Sequence, residues 1–146
     1  MIIDAHTHYT TAPAELQAYR GQQITNLGKP VPAKLQISDE VLARSMEGQF
    51  KRMRDSGIDR LLFSPQASAM GHHFGSPLVS RYWTEACNDL IGRVARLWPD
   101  KISPVCQLPQ SPGVSPKEWV DELERCVKEL GFVGCNVNPD VAGGRE

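Results

Sequence analysis

Four short apolar runs alternate with amphipathic stretches, and this alternation constrains the fold more than any other feature. The runs fall at 1–8, 58–64, 102–108 and 132–138, and the last three are closed by Pro65, Pro109 and Pro139. Each is short enough for a strand, and Leu61-Leu62-Phe63 reads as a buried one. The stretches between them carry helix signals. Ser38 precedes Asp39 and Glu40, and Leu42, Met46, Phe50 and Met53 recur at helical spacing. Ser76-Pro77 opens a second helix, whose apolar face runs from Leu78 and Val79 through Trp83 and Leu90 to Leu97. Ser115-Pro116-Lys117-Glu118 reads as a capping box, leading into a face of Trp119, Leu123, Cys126, Val127 and Leu130. Gly57, Pro99 and Gly131 stop the three helices.

Strand followed by helix, repeated, predicts an α/β fold with parallel strands. Short helix-to-strand links and longer strand-to-helix loops are the pattern of a (β/α) barrel, whose function sits on the loops after the strands. A full TIM-type barrel has eight such units and about 250 residues. These 146 residues supply four strands and three connecting helices. The fold class expected is therefore the first half of a (β/α)8 barrel, one unit over 1–146. Such a half is either a piece of a longer polypeptide, inactive alone, or a half-barrel whose open edges pair with another subunit.

The chemistry concentrates in the first run, Met-Ile-Ile-Asp-Ala-His-Thr-His. Residues two apart on a strand share a face, so Asp4, His6 and His8 are expected to point one way, with the imidazoles ~7 Å apart along the strand. Neutral imidazole is a common ligand for zinc and its neighbours. A catalytic site needs at least three protein ligands and an open position, so this pair is at most half a site.

Asp4-Ala5-His6-Thr7-His8 resembles the strand-one Asp-x-His-x-His signature of the amidohydrolase superfamily. The longer run from Met1 to Pro13 is similar to the 4-oxalomesaconate hydratase branch, relatives of the aminocarboxymuconate-semialdehyde decarboxylase group. The resemblance implies His6 and His8 as ligands of a divalent metal, with zinc the default. It also implies a hydro-lyase activity, addition of water to 4-oxalomesaconate in protocatechuate or gallate degradation. The remaining ligands and the acid–base groups would come from later strands, so no catalytic residue is assigned. Related decarboxylases and hydrolases share the same pair. A phosphoesterase of the polymerase-and-histidinol-phosphatase type would also begin with His-x-His, but its expected Thr-Asp-His-like motif is missing.

Four further residues are candidates for substrate binding. Asn136 and Asn138 lie two apart at the end of the fourth strand, where Asn138-Pro139 also reads as plain turn chemistry. His73, beside His72, falls in the loop after the second strand, and Tyr9 directly follows the histidine pair. The connection from Tyr9 to Ile37, with a short helix over 14–23, is long enough to suggest a lid at the mouth. Gly143-Gly144 is too weak a signal for a phosphate loop.

Composition narrows the partners. A net charge of −1 leaves no electrostatic footprint for nucleic acid or an acidic membrane. No apolar stretch approaches the ~20 residues that span a bilayer, and the N-terminus has no signal-peptide pattern. Cys87, Cys106, Cys126 and Cys135 form no Cys-x-x-Cys pair, and read as reduced thiols of a cytoplasmic protein. A small polycarboxylate and further copies of the chain are the partners expected.

Overall fold

The computed structural model describes residues 1–66 and 69–141. Four strands, β1 (Ile3–His8), β2 (Arg60–Ser64), β3 (Ile102–Gln107) and β4 (Gly134–Asn136), lie side by side in sequence order. All three pairings are parallel, with Asp4 beside Leu61, Leu61 beside Ile102 and Cys106 beside Cys135. Helices α1 (Ala14–Thr25), α2 (Asp39–Asp55), α3 (Pro77–Leu97) and α4 (Lys117–Lys128) fill the crossovers. This is the (β/α) half-barrel that the alternation of runs predicts. Gly143-Gly144 lies outside the described residues.

The core forms where the inner helix faces meet the strands. Leu42, Met46 and Met53 of α2 and Val79, Trp83, Leu90, Ile91 and Val94 of α3 are buried, with Leu61 and Phe63 of β2 against them. Burying each such side chain contributes roughly 1.5–3 kcal/mol. All six residues of β3 are buried, as befits a strand covered on both sides.

One buried row on α3 is polar. Ser80, Thr84 and Asn88 recur every four residues and so share one helix face, each at most 2% exposed. All three turn toward the ends of the strands, and they reappear at the site below.

The structure departs from the sequence reading in several places. Ser38 caps α2 through the Val41 N–H as expected, but the capping box at α4 does not close. There the Ser115 hydroxyl accepts from the Lys117 N–H, one residue short of Glu118. Fourth-strand pairing covers only Gly134–Asn136 rather than 132–138. Leu78 and Val127, placed on core faces, are 41% and 47% exposed. Leu78 belongs to the first turn of α3, and the buried residues of α4 are Glu122 and Cys126.

Gly75 sets the entry into α3. Its φ is +68°, and a Cβ there would lie 2.9 Å from Val79 Cγ2 and 3.0 Å from Leu27 Cδ2. Gly75→Ala is expected to cost about 1–3 kcal/mol by urea denaturation. Gly113→Ala, at φ +79° but in open space, should cost less, because only the backbone contribution applies. Equal losses would show that the close approach at Gly75 is immaterial.

Candidate functional site

A cleft of about 640 Å³ opens where the C-terminal ends of the strands meet the loops that follow them. His6 and His8 of β1 line one part, Gly71, His72 and His73 another, and Gln107, Gln110, Asn136 and Asn138 a third. Asp140 is the acidic group in the lining, and neither lysine nor arginine contributes to it among the described residues. An anion here must be held by neutral donors, by histidine or by a bound cation.

The His6–His8 pair is shaped by an irregularity of the bulge kind in β1. Asp4 pairs with Leu61 and Thr7 with Phe63, so β1 carries one extra residue between them. Asp4 does not join the histidines as expected. Its carboxylate accepts the His6 N–H at 3.0 Å and steadies the irregular backbone. Past it, His6 Nε2 and His8 Nε2 lie 3.0 Å apart, with the rings edge to face at 4.5 Å between centroids.

The tautomer of His8 follows from its neighbours. Nδ1 lies 3.1 Å from the Pro65 carbonyl, which can only accept, and 2.9 Å from Ser64 Oγ, whose proton goes to the Thr7 carbonyl. Nδ1 therefore carries the proton and Nε2 offers its lone pair toward His6. Two ligands of one tetrahedral zinc sit roughly 3.3 Å apart from the usual Zn–N distance. The pair fits as two ligands of one ion. Among the described residues no cluster of three or more His, Cys, Asp or Glu side chains completes the shell.

Two side-chain amides finish the strand ends by imitating peptide groups. Asn88 on α3 accepts the Gln107 N–H and donates to the Gln107 carbonyl, both at 3.0 Å, and also donates to Glu122. Gln110 accepts the Asn138 N–H at 2.7 Å and donates to the Asn138 carbonyl at 3.1 Å. Thr84 accepts from the Gln107 side chain. Gln107, Gln110 and Asn88 were not singled out by the sequence reading. The available signal was the row of polar residues at 80, 84 and 88 inside an otherwise apolar helix face.

Of the adjacent pair His72 and His73, the sequence favours His73, but His72 is the one held in place. It is 4% exposed, its Nδ1 lies 2.7 Å from Ser80 Oγ, and its carbonyl accepts from the Ser111 hydroxyl. Burial, reinforced by neighbouring His73, holds its imidazole below the ordinary histidine value. Because the folded chain resists the proton, acidification favours unfolding. The contribution is fully present above the ordinary value of 6.5 and is lost as pH falls below it toward the folded value. Lowering pH from about 7.5 to about 5.5 should reduce the melting temperature more in the parent than in His72→Gln. Equal decreases would place the titration elsewhere.

Of the other candidates, His73 reaches the cleft with its ring laid over Gly71 and against Phe74. A side chain at 71 would meet that ring at 2.6 Å. Asn136 lines the cleft, as does Asn138, whose side chain accepts the Asp140 N–H in a turn. Tyr9 is not brought there. It is 4% exposed, bonded to Ser45 and packed on Phe63, facing the α2 side of the strand. Nor does the 9–37 connection act as a lid, since none of its residues lines the cleft. It folds back instead, with Tyr19 stacked on Trp83 and bonded to the Val31 carbonyl.

The amidohydrolase family profile matches residues 3–146. The chain is 46% identical to 2-keto-4-carboxy-3-hexenedioate hydratase of a Sphingobium species, an alignment covering 99% of this chain and 43% of that protein. It is 32% identical over 102 residues to gamma-resorcylate decarboxylase of a Polaromonas species, covering 68% of this chain and 30% of that one. The crystal structure of 4-oxalomesaconate hydratase LigJ from Rhodopseudomonas palustris superposes with a TM-score of 0.89 at 47% identity, covering 99% of this chain and 44% of that one. The chain thus spans less than half the length of the relatives it matches. With a histidine pair at the mouth of a parallel half-barrel and a family match from residue 3 to residue 146, the chain belongs to the amidohydrolase family.

Proposed function

We propose that this chain supplies the strand-one part of the metal site and part of the substrate cleft of a hydratase acting on 4-oxalomesaconate. The observation that carries the reading is the His6–His8 pair, preset with facing Nε2 atoms, in a chain 46% identical to a hydratase along 99% of its length. His6 and His8 would hold a divalent ion, zinc by default from an all-imidazole pair. Such an ion, when bound, polarises a substrate oxygen or activates water. The chain's own part is to orient. Pro65 fixes the His8 ring, and the two amide clamps hold Gln107 and Asn138 at the rim. Asn136, Asn138 and His73 would offer N–H donors to carboxylates, in keeping with a cleft that has neither lysine nor arginine in its lining among the described residues.

Hydration places a hydroxyl on one carbon of the double bond and a proton on the other, with nothing released. Incubating the polypeptide, as its native gene produces it, with 4-oxalomesaconate and zinc in oxygen-18 water tests this. One labelled oxygen bonded to carbon in the product, without carbon dioxide, is the expected result. Carbon dioxide release would favour a decarboxylase, the second reading supported by the 32% identity to gamma-resorcylate decarboxylase. We further propose a cytoplasmic setting, where free cysteines, three of them buried, persist reduced. Association of copies is part of the same proposal. Among the described residues, no helix is long and apolar enough to cross a membrane.

A further inference from the structure

We propose that His72 is a substrate-binding residue, donating from Nε2–H to a carboxylate of the bound polycarboxylate. The inference rests on reading the cleft as a polycarboxylate site.

Ser80 determines the tautomer. Its side chain is buried at 2% exposure, and the bonding partner of its hydroxyl is His72 Nδ1 at 2.7 Å. A buried hydroxyl needs an acceptor for its proton, and an unprotonated Nδ1 is that acceptor. The ring proton then sits on Nε2. His8 is the opposite case, with its proton on Nδ1 and a lone pair on Nε2. Of these two histidines of the cleft lining, one carries a lone pair on Nε2 and the other an N–H.

His72 is held from two elements, its ring by Ser80 on α3 and its carbonyl by Ser111 after β3. Among the described residues Nε2 has no hydrogen-bond partner, and His72 is one of the residues that line the cleft. A neutral donor so fixed, beside a cleft that has neither lysine nor arginine in its lining among the described residues, suits an anionic oxygen.

Long-range proton–nitrogen spectra of the nitrogen-15-labelled, zinc-loaded chain test this, with tricarballylate as an unreactive tricarboxylate probe. His72 should appear in the Nε2–H form, and Ser80→Ala should admit the other tautomer. Tricarballylate should move the His72 Nε2 signal. His72→Phe should weaken its binding about tenfold or more, the loss expected for a hydrogen bond to a charged group. His72→Gln, which keeps a neutral donor at similar reach, should stay within about threefold. Ser80→Ala retains the imidazole, so its result stands even where His72→Phe unfolds. An Nδ1–H form, or a static His72 signal while Asn136 and the His6–His8 pair shift, would overturn the role of His72 and leave the cleft reading intact. No shift at any cleft residue would overturn both.

Discussion

His8→Ala should weaken zinc binding by more than about tenfold while leaving the fold in place. Disturbing an outer-shell partner alone typically lowers metal affinity 10–100-fold, and this substitution removes a proposed ligand itself. Within a working hydratase, hydration of 4-oxalomesaconate should be lost. The fold should survive because His8 is only partly buried and Ser64 keeps its bond to the Thr7 carbonyl. Removing the imidazole frees one acceptor, Pro65, at a cost of about 1 kcal/mol. Zinc titration with circular dichroism on the same samples checks both halves of the claim. Undiminished zinc affinity would remove His8 from the site.

A second large effect is expected far from the histidines. Asn88→Ala should destabilise the chain by about 2–4 kcal/mol, a large share of the stability of an ordinary domain. The substitution strips partners from the N–H and carbonyl of Gln107 and one partner from the Glu122 carboxylate, which Arg125 still holds, in a setting where Asn88 has no exposure. Buried backbone groups left unpaired carry their full desolvation cost. Thr84→Ala is the control, since Thr84 is equally buried but makes one bond of 3.3 Å to the Gln107 side chain. Its loss should be about 1 kcal/mol. Urea midpoints at constant slope measure both, and similar losses would mean the clamp contributes little.

The fold was legible because its signals are local. Ser38 beside Asp39 and Glu40, and apolar residues at 42, 46, 50 and 53, specify a helix without knowledge of the rest of the chain. The histidine pair was legible for the same reason, as two imidazoles two residues apart on one short strand. What was not legible depends on distant partners. Asn88 and Gln107 are 19 residues apart, Gln110 and Asn138 are 28 apart, and nothing local to either pair announces a contact. Asp4 misled because alternation along a strand cannot foresee an extra residue in the pairing, and that residue turned its carboxylate onto the backbone. Tyr9 misled for a different reason, since it directly follows His8 and strand alternation itself turns the next side chain to the opposite face. His72 was passed over for His73, although the buried neighbour is the one with an oriented ring.

The two amide clamps have a consequence for how such a cleft can change over time. Each grips the backbone N–H and carbonyl of its target, Gln107 or Asn138, and leaves that residue's side chain outside the grip. The frame and the lining are thereby written in different parts of the same residues. Substitutions at 107 and 138 can alter what the rim recognises while the strand ends stay anchored, whereas Asn88 and Gln110 have no such latitude. A family whose members handle different carboxylates could diversify at the clamped positions and keep the clamping ones.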